Sequence, residues 1–211
     1  MVMERKFAYG KYRKKQDAAW RFLRDERITA LPVPMSSPTR QLGIRLCGYT
    51  ANTDLLRRSG LGSLLDADGF AYMDLNGKLA IFYNDQRSRQ ESRFTIAHEL
   101  GHILLEHMGP MEYMGSSPQN RVLSPQDDRK EQEADQFALR VLAPACVLWA
   151  KGLYTPEEIA EACDISPEAA RRRARRMAVL LKRDKFLIKD LERQVFGQFG
   201  LTDPRIKSTA P

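Results

Sequence analysis

The sequence predicts an α+β protein, a small antiparallel sheet packed on helices, with a helical extension at the C-terminal end. Three observations carry this. Gly69 to Asp74 and Lys78 to Asn84 are β-prone runs on either side of Asn76-Gly77, the strongest short hairpin signal available. Ser88 to Met108 has no proline and one glycine, and Phe94, Ile96, Ala97, Leu100, Ile103, Leu104 and Leu105 cover most of its circumference, which predicts a buried helix. Pro156 to Lys189 is helix-prone with a break at Asp164-Ile165-Ser166-Pro167.

The other elements follow in order. Asp17 to Glu26 reads as a basic amphipathic helix that stops before Leu31-Pro32-Val33-Pro34. Ser36-Ser37-Pro38 is a helix start, and Ile44 to Tyr49 suits a strand. Asn52 to Asp68 is a polar loop or short helix. After the long helix, Gly109 to Lys130, with Pro110, Pro118 and Pro125, reads as a long loop, a length that in compact domains is usually functional or disordered. Glu131 to Leu142 resumes a helix ended by Pro144, and Thr202 to Pro211 reads as a tail.

At 211 residues, one domain with an appendage is expected, divided into 1–150 and 151–211. With 43% hydrophobic and 29% charged residues the chain can build a core, which excludes wholesale disorder. Its most apolar uncharged stretch, Val141 to Ala150, is half of the about 20 residues a membrane span needs, so no membrane partner is expected. Met1 to Lys15 is basic but has no apolar run after it, unlike a secretory signal, and a cytoplasmic location is expected. Cys47, Cys146 and Cys163 are odd in number and lack a CxxC pairing, which argues against a disulfide framework or a thiolate metal site. The net charge of +7 suits a nucleic-acid or acidic partner, but an excess of this size also occurs on ordinary surfaces.

The chemistry concentrates in His98-Glu99-Leu100-Gly101-His102, an HExxH sequence inside the buried helix. Positions four apart stack on one helix face, so His98 and His102 can aim at one metal ion. Glu99 lies about 100° round the axis, where it can reach a water instead of the metal. Read instead as plain scaffold, FTIAHELGHILL would bury three polar groups without partners, which costs several kcal/mol. A catalytic zinc needs a third protein ligand. The HExxHxxGxxH pattern fails, since Leu105 and Met108 stand at its glycine and third histidine, and His107 is expected on another face. The third ligand is then expected in Glu131-Gln132-Glu133-Ala134-Asp135. Glu131 and Asp135 share a face, which suits Glu131 to the metal and Asp135 to a hydrogen bond from a ligating histidine; Glu133 is expected to point elsewhere. Taken alone, the cluster also reads as a solvated helix start.

HELGH followed after a linker by EQEADQFALRVLAP resembles the ImmA/IrrE family of zinc metallopeptidases, where an ExxA[DN]xFA motif supplies the glutamate ligand. The resemblance covers about Tyr83 to Pro144. It implies Zn2+ as cofactor, His98, His102 and Glu131 as metal ligands, Glu99 as general base and Asp135 as support. It also implies a protein substrate, a helix-turn-helix repressor of a phage or mobile element, cut by metal-assisted hydrolysis. The 109–130 segment departs from the family pattern. No motif residue identifies the oxyanion donor, for which Tyr83 and Tyr113 are candidates also readable as core or surface. The run Lys78 to Asn84 is expected to pair with an extended substrate.

A second feature, TPEEIAEACDISPEAARRRARRM over 155–177, resembles a helix-turn-helix. Thr155, Pro156 and Glu158 make a capping-box start, Ala160 is the small contact, Ile165 is buried at the turn, and Ser166-Pro167 starts the second helix. Asp164 replaces the glycine often found there. Arg171, Arg172 and Arg175 make this helix a candidate for nucleic-acid or partner contact; as a packing hairpin it would keep them in solvent. The alternative to a peptidase is thus a metal-binding transcriptional regulator acting by DNA or protein contact.

Overall fold

A computed structural model describes residues 17–74, 76–107 and 128–206. The basic run Lys11 to Lys15, Tyr113 and most of the expected 109–130 loop lie outside the described residues, as does the end of the tail. The elements are α1 (Ala18–Asp25), α2 (Ser36–Gln41), β1 (Arg45–Gly48), α3 (Tyr49–Arg58), a 3-10 turn (Gly62–Asp66), β2 (Gly69–Met73), β3 (Leu79–Tyr83), α4 (Arg89–Leu104), α5 (Asp128–Leu142), α6 (Ala145–Lys151), α7 (Pro156–Cys163), α8 (Pro167–Lys182) and α9 (Asp190–Gln198). The chain forms two compact units interleaved in sequence, one through residue 18 and over 35–138, the other over 19–34 and from 139 onward. The sequence reading instead draws a single boundary after residue 150.

The first unit is the α+β body. Its sheet has the order β1-β3-β2. The β2–β3 hairpin is antiparallel, with Gly69 opposite Tyr83 and Met73 opposite Leu79. Asp74 organises its turn: the carboxylate accepts from Asn76 N–H at 2.9 Å and Lys78 N–H at 2.8 Å, and Gly77 takes a positive φ of 74°. β1 adds on the other side of β3 in parallel, Arg45 opposite Ala80 and Gly48 opposite Tyr83. The sheet is therefore mixed where a wholly antiparallel one was expected. The reason is connectivity, because β1 passes directly into α3 and returns through the 3-10 turn and β2, a crossover that leaves β1 and β3 pointing the same way. Tyr49, Leu56, Leu61, Phe70, Ala80 and Phe82 form one apolar cluster, with the Phe70 and Phe82 rings stacked 5.0 Å apart.

β3 is the middle strand, and four of its five residues are buried. Both of its edges are paired, so the expectation that Lys78 to Asn84 takes up an extended substrate is corrected: β1 and β2 are the outer strands of the sheet. Asn84 N–H bonds the Asp68 carbonyl at 2.8 Å and Asp74 N–H the Lys78 carbonyl at 2.9 Å. In an antiparallel ladder these bonded pairs recur at every second residue, so Gly69, Ala71 and Met73 turn their main-chain groups away from β3.

α4 packs across β2 and β3. Ser88 and Glu91 cap it reciprocally, Ser88 Oγ accepting from Glu91 N–H and the Glu91 carboxylate from Ser88 N–H, which satisfies two otherwise orphaned donors. Contact with β2 is close at Gly69, where a Cβ would come within 2.4 Å of Thr95 Cγ2 and 2.8 Å of the Phe82 carbonyl oxygen. The helix stops at Leu104, short of the expected Met108.

In the second unit, α7 and α8 pack as a helix-turn-helix-like pair. The Thr155–Glu158 capping box and the Ser166 cap are present, and Asp164 takes φ 50° where glycine is common. Ile159, Cys163, Ile165, Ala169, Ala170 and Met177 are buried. α6 and α9 were not expected as elements. α6 is buried over five of its seven residues, so no polar face marked it as a helix. Trp149 of α6 stacks on Phe186 at 4.8 Å, and Gln198 of α9 donates to the Leu23 and Ile28 carbonyls at 2.8 and 2.6 Å. Among the described residues no helix is long and apolar enough to cross a membrane.

Candidate metal centre

α4 and the N-terminal part of α5 bring the site together. Gly101 makes the approach possible, since a Cβ there would sit 3.2 Å from Ala134 Cα and 3.3 Å from its carbonyl oxygen. Ala134 lies between Glu131 and Asp135 in the chain, so the close approach at Gly101 falls next to both carboxylates.

His98 Nε2 and His102 Nε2 are 2.9 Å apart, and the Glu131 carboxylate lies 3.1 Å from the first and 3.3 Å from the second. Ligands at the corners of a tetrahedron around zinc, at bond lengths near 2.0–2.1 Å, are separated by about 3.3 Å. The observed triangle has that size. His98 Nδ1 donates to Asp135 Oδ1 at 2.9 Å, which leaves the Nε2 lone pair of a neutral ring facing two other acceptors. Three acceptors meeting at one point need a cation, and the triad is capable of holding a metal ion.

The electrostatics follow from burial and from this crowding. Burial alone would lower the His98 pKa, but the Asp135 hydrogen bond and the charges of Glu99, Asp135 and Glu131 outweigh it and hold the imidazole above its usual value. His102, 1% exposed, is pushed down to about 3 by burial and then by its His98 and His107 neighbours, so it stays neutral. Burial pushes the Glu99 carboxyl up to about 7, with Glu131 adding to the rise and His98 and the Ala71 amide opposing it. Glu99 accepts the Ala71 N–H on the outward row of β2 and is not a member of the triad.

Two residues expected elsewhere belong to the cluster. His107 was placed on another face by helical spacing, but the helix has ended: Glu106 takes φ 58°, and His107 N–H returns to the His102 carbonyl at 3.0 Å. The reversal brings His107 Nδ1 to 3.2 Å from His102 Nδ1. Glu133, expected to point away, lies with Oε2 3.0 Å from His107 Nε2, and its Oε1 accepts from Arg129. Helical termination at Leu105-Glu106 has no glycine to announce it.

Tyr83 ends β3, half-buried, and Tyr113 is outside the described residues. On α8, Arg171 and Arg175 are exposed and Arg172 partly so, with Arg171 paired to Glu168 at 3.2 Å. Arg173 is buried, and burial with the nearby Arg140 charge lowers its guanidinium pKa to about 10, so this member of the arginine run is a core residue.

The family model described as the IrrE N-terminal-like domain, Peptidase_M78, matches residues 62–175, more than half of the chain. The chain belongs to this family. The match runs from the 3-10 turn through β2, β3, α4 and α5 into α8, and so contains every residue of the cluster. The ImmA/IrrE likeness of HELGH and EQEADQFALRVLAP is thereby established, and with the His-His-Glu triad it makes the protein a metallopeptidase. No curated protein matches the chain.

Proposed function

We propose that the protein is a zinc-dependent endopeptidase in which His98, His102 and Glu131 hold the metal and Glu99 is the general base. The observation that carries this is the convergence of two imidazole Nε2 atoms and a carboxylate within 3.3 Å of one another, beside a buried carboxyl that is not part of the triad. Zinc bound there supplies Lewis acidity, polarising a peptide carbonyl and acidifying water. Glu99 takes the proton from the attacking water and passes it to the leaving nitrogen. Asp135 holds the His98 ring with its Nδ1 proton outward, so that Nε2 is presented to the metal.

The substrate is read as an extended protein segment lying beside β2. Glu99 accepts the Ala71 N–H on that side, which puts the assigned base next to this strand. The family resemblance points to a helix-turn-helix repressor as the substrate. Incubation of such a repressor with zinc-loaded protein is expected to give discrete fragments. The Glu99→Gln variant is expected to carry the same zinc and give none. Cleavage by a zinc-loaded Glu99→Gln variant at the parent rate refutes the assigned role of Glu99.

One observation favours the regulator reading: apart from Glu168, α8 is free of acids, and Arg171, Arg175 and Arg176 are exposed along it. The two readings separate cleanly. Salt-sensitive DNA binding that survives Glu99→Gln and is lost on replacing Arg171, Arg172 and Arg175 supports the regulator. Unchanged DNA binding in the arginine variant removes it.

A further inference from the structure

We propose that Glu133 and His107 form a buried positioning pair that fixes the proton on His102 Nδ1 and thereby presents His102 Nε2 to the metal. The inference rests on the metal-centre reading above. The contacts run in a line: Glu133 Oε2 to His107 Nε2 at 3.0 Å, His107 Nδ1 to His102 Nδ1 at 3.2 Å, and His102 Nε2 to the point shared with His98 and Glu131. His102 and His107 are 1% and 2% exposed, so water does not compete for these positions.

The direction of each hydrogen bond follows from what each atom can do. An ionised carboxylate only accepts, so His107 Nε2 carries a proton. A neutral imidazole protonated at Nε2 has its lone pair on Nδ1, so His107 Nδ1 accepts. His102 Nδ1 must then donate, and the His102 lone pair is left on Nε2. The opposite assignment needs a doubly protonated His107 donating from Nδ1, and it would point an N–H from His102 Nε2 at the ligand point, where the metal requires a lone pair.

Each ligand histidine thus has its own orienting acceptor, Asp135 for His98 and His107 for His102. Arg129, at 3.2 Å from the other Glu133 oxygen, keeps that carboxylate in place. The backbone is shaped for the contact: a non-glycine residue, Glu106, adopts a left-handed conformation, and the turn it makes returns His107 onto His102. His107 is not placed to bind the same ion, since its ring faces the Nδ1 edge of His102 and the triad occupies the Nε2 edge.

The test uses the full chain, whose only histidines are these three, so histidine-labelled protein gives three imidazole signals. Two-bond 15N–1H correlation in the zinc-loaded protein is expected to show His102 with its proton on Nδ1 and His107 with its proton on Nε2. Zinc affinity, measured by chelator competition at constant pH, is expected to fall about 10- to 100-fold in His107→Phe and in Glu133→Leu. His107→Gln, whose side-chain oxygen accepts from His102 Nδ1–H, and Glu133→Gln, whose oxygen accepts from His107 Nε2–H, are expected to recover most of that loss. Melting of the zinc-free forms separates these effects from unfolding.

A proton on His102 Nε2, coordination through its Nδ1, or parental zinc affinity in a folded His107→Phe overturns the pair. If His107→Phe does not fold, the tautomer in the parent protein and the contrast between Glu133→Leu and Glu133→Gln decide. A parent protein that binds no zinc overturns the metal-centre reading itself and this inference with it, whereas a zinc-binding parent with unaffected variants overturns this inference alone.

Discussion

Replacing Gly101 by alanine probes the joint between the two helices that build the site. A Cβ at this position meets Phe137 Cδ1 at 3.1 Å, Ala134 Cα at 3.2 Å and the Ala134 carbonyl oxygen at 3.3 Å, all short of ordinary contact. The Phe137 ring can turn away, but the two Ala134 atoms are backbone and yield only if α5 shifts by a few tenths of an ångström. Metal-ligand distances tolerate about 0.2 Å, so a shift of that size carries Glu131 and Asp135 out of register with His98 and His102. Removing a glycine from a helix interior contributes about 1 kcal/mol, while overpacking costs about 1–3 kcal/mol, so a net loss of about 0–2 kcal/mol is expected. Zinc affinity is expected to fall on the order of 10-fold, well beyond what that stability change implies for a folded protein. Chelator competition gives the affinity, and thermal melting of the zinc-free form gives the stability. A Gly101→Ala protein about 1 kcal/mol more stable, with parental zinc affinity, refutes the close-approach argument.

Further expectations concern protons, caps and thiols. Because Glu99 is held up at about 7 in the folded protein against an ordinary 4.5, the metal-free native state binds the extra proton between those values, and its stability falls as pH rises through that window. His102, held down to about 3, acts oppositely as pH rises from about 3 to 6.5, so the difference between the parent protein and Glu99→Gln is the quantity to follow. That difference is expected to move against the parent by up to about 3 kcal/mol between pH 4.5 and 7 in chemical denaturation, and a flat difference contradicts the burial of Glu99 as an acid. Ser88→Ala removes the cap of α4 and is expected to lower stability by about 1 kcal/mol, with no change at all counting against the cap. Burial pushes the Cys146 thiol up and Cys163 is fully covered, so alkylation of the native protein is expected to spare both until it unfolds. Rapid modification of either under native conditions contradicts that packing.

Much of the fold was legible because it rests on local signals. Asn76-Gly77 with the flanking β-prone runs fixes the hairpin, and Thr155, Pro156, Glu158, Ser166 and Pro167 mark the starts of α7 and α8 through capping chemistry that sequence displays directly. The parallel pairing of β1 with β3 was not legible, since it depends on where a crossover returns rather than on any residue in β1. α6 escaped because a helix covered on all sides shows no polar face.

In the site, residues on regular helix were readable by spacing: His98, His102, Glu131 and Asp135 come together as the period of the helix dictates. His107 was not readable, because spacing stops being a guide where the helix ends, and Glu106 ends it in a left-handed conformation without glycine. Glu133 was hidden for a linked reason, since its contact is with the displaced His107 rather than with the triad. In the arginine run, helical position separates Arg173 in the core from Arg171 and Arg175 at the surface, a distinction that charge alone does not make.

The most direct measurement of the central claim is metal content per chain by elemental analysis after dialysis against buffer containing trace zinc. The parent protein and Glu99→Gln are expected to retain about one zinc per chain, and His102→Ala and Glu131→Ala to lose it. A parent protein that retains no zinc, or a Glu131→Ala protein that retains as much as the parent, contradicts the assignment of His98, His102 and Glu131 as the metal centre.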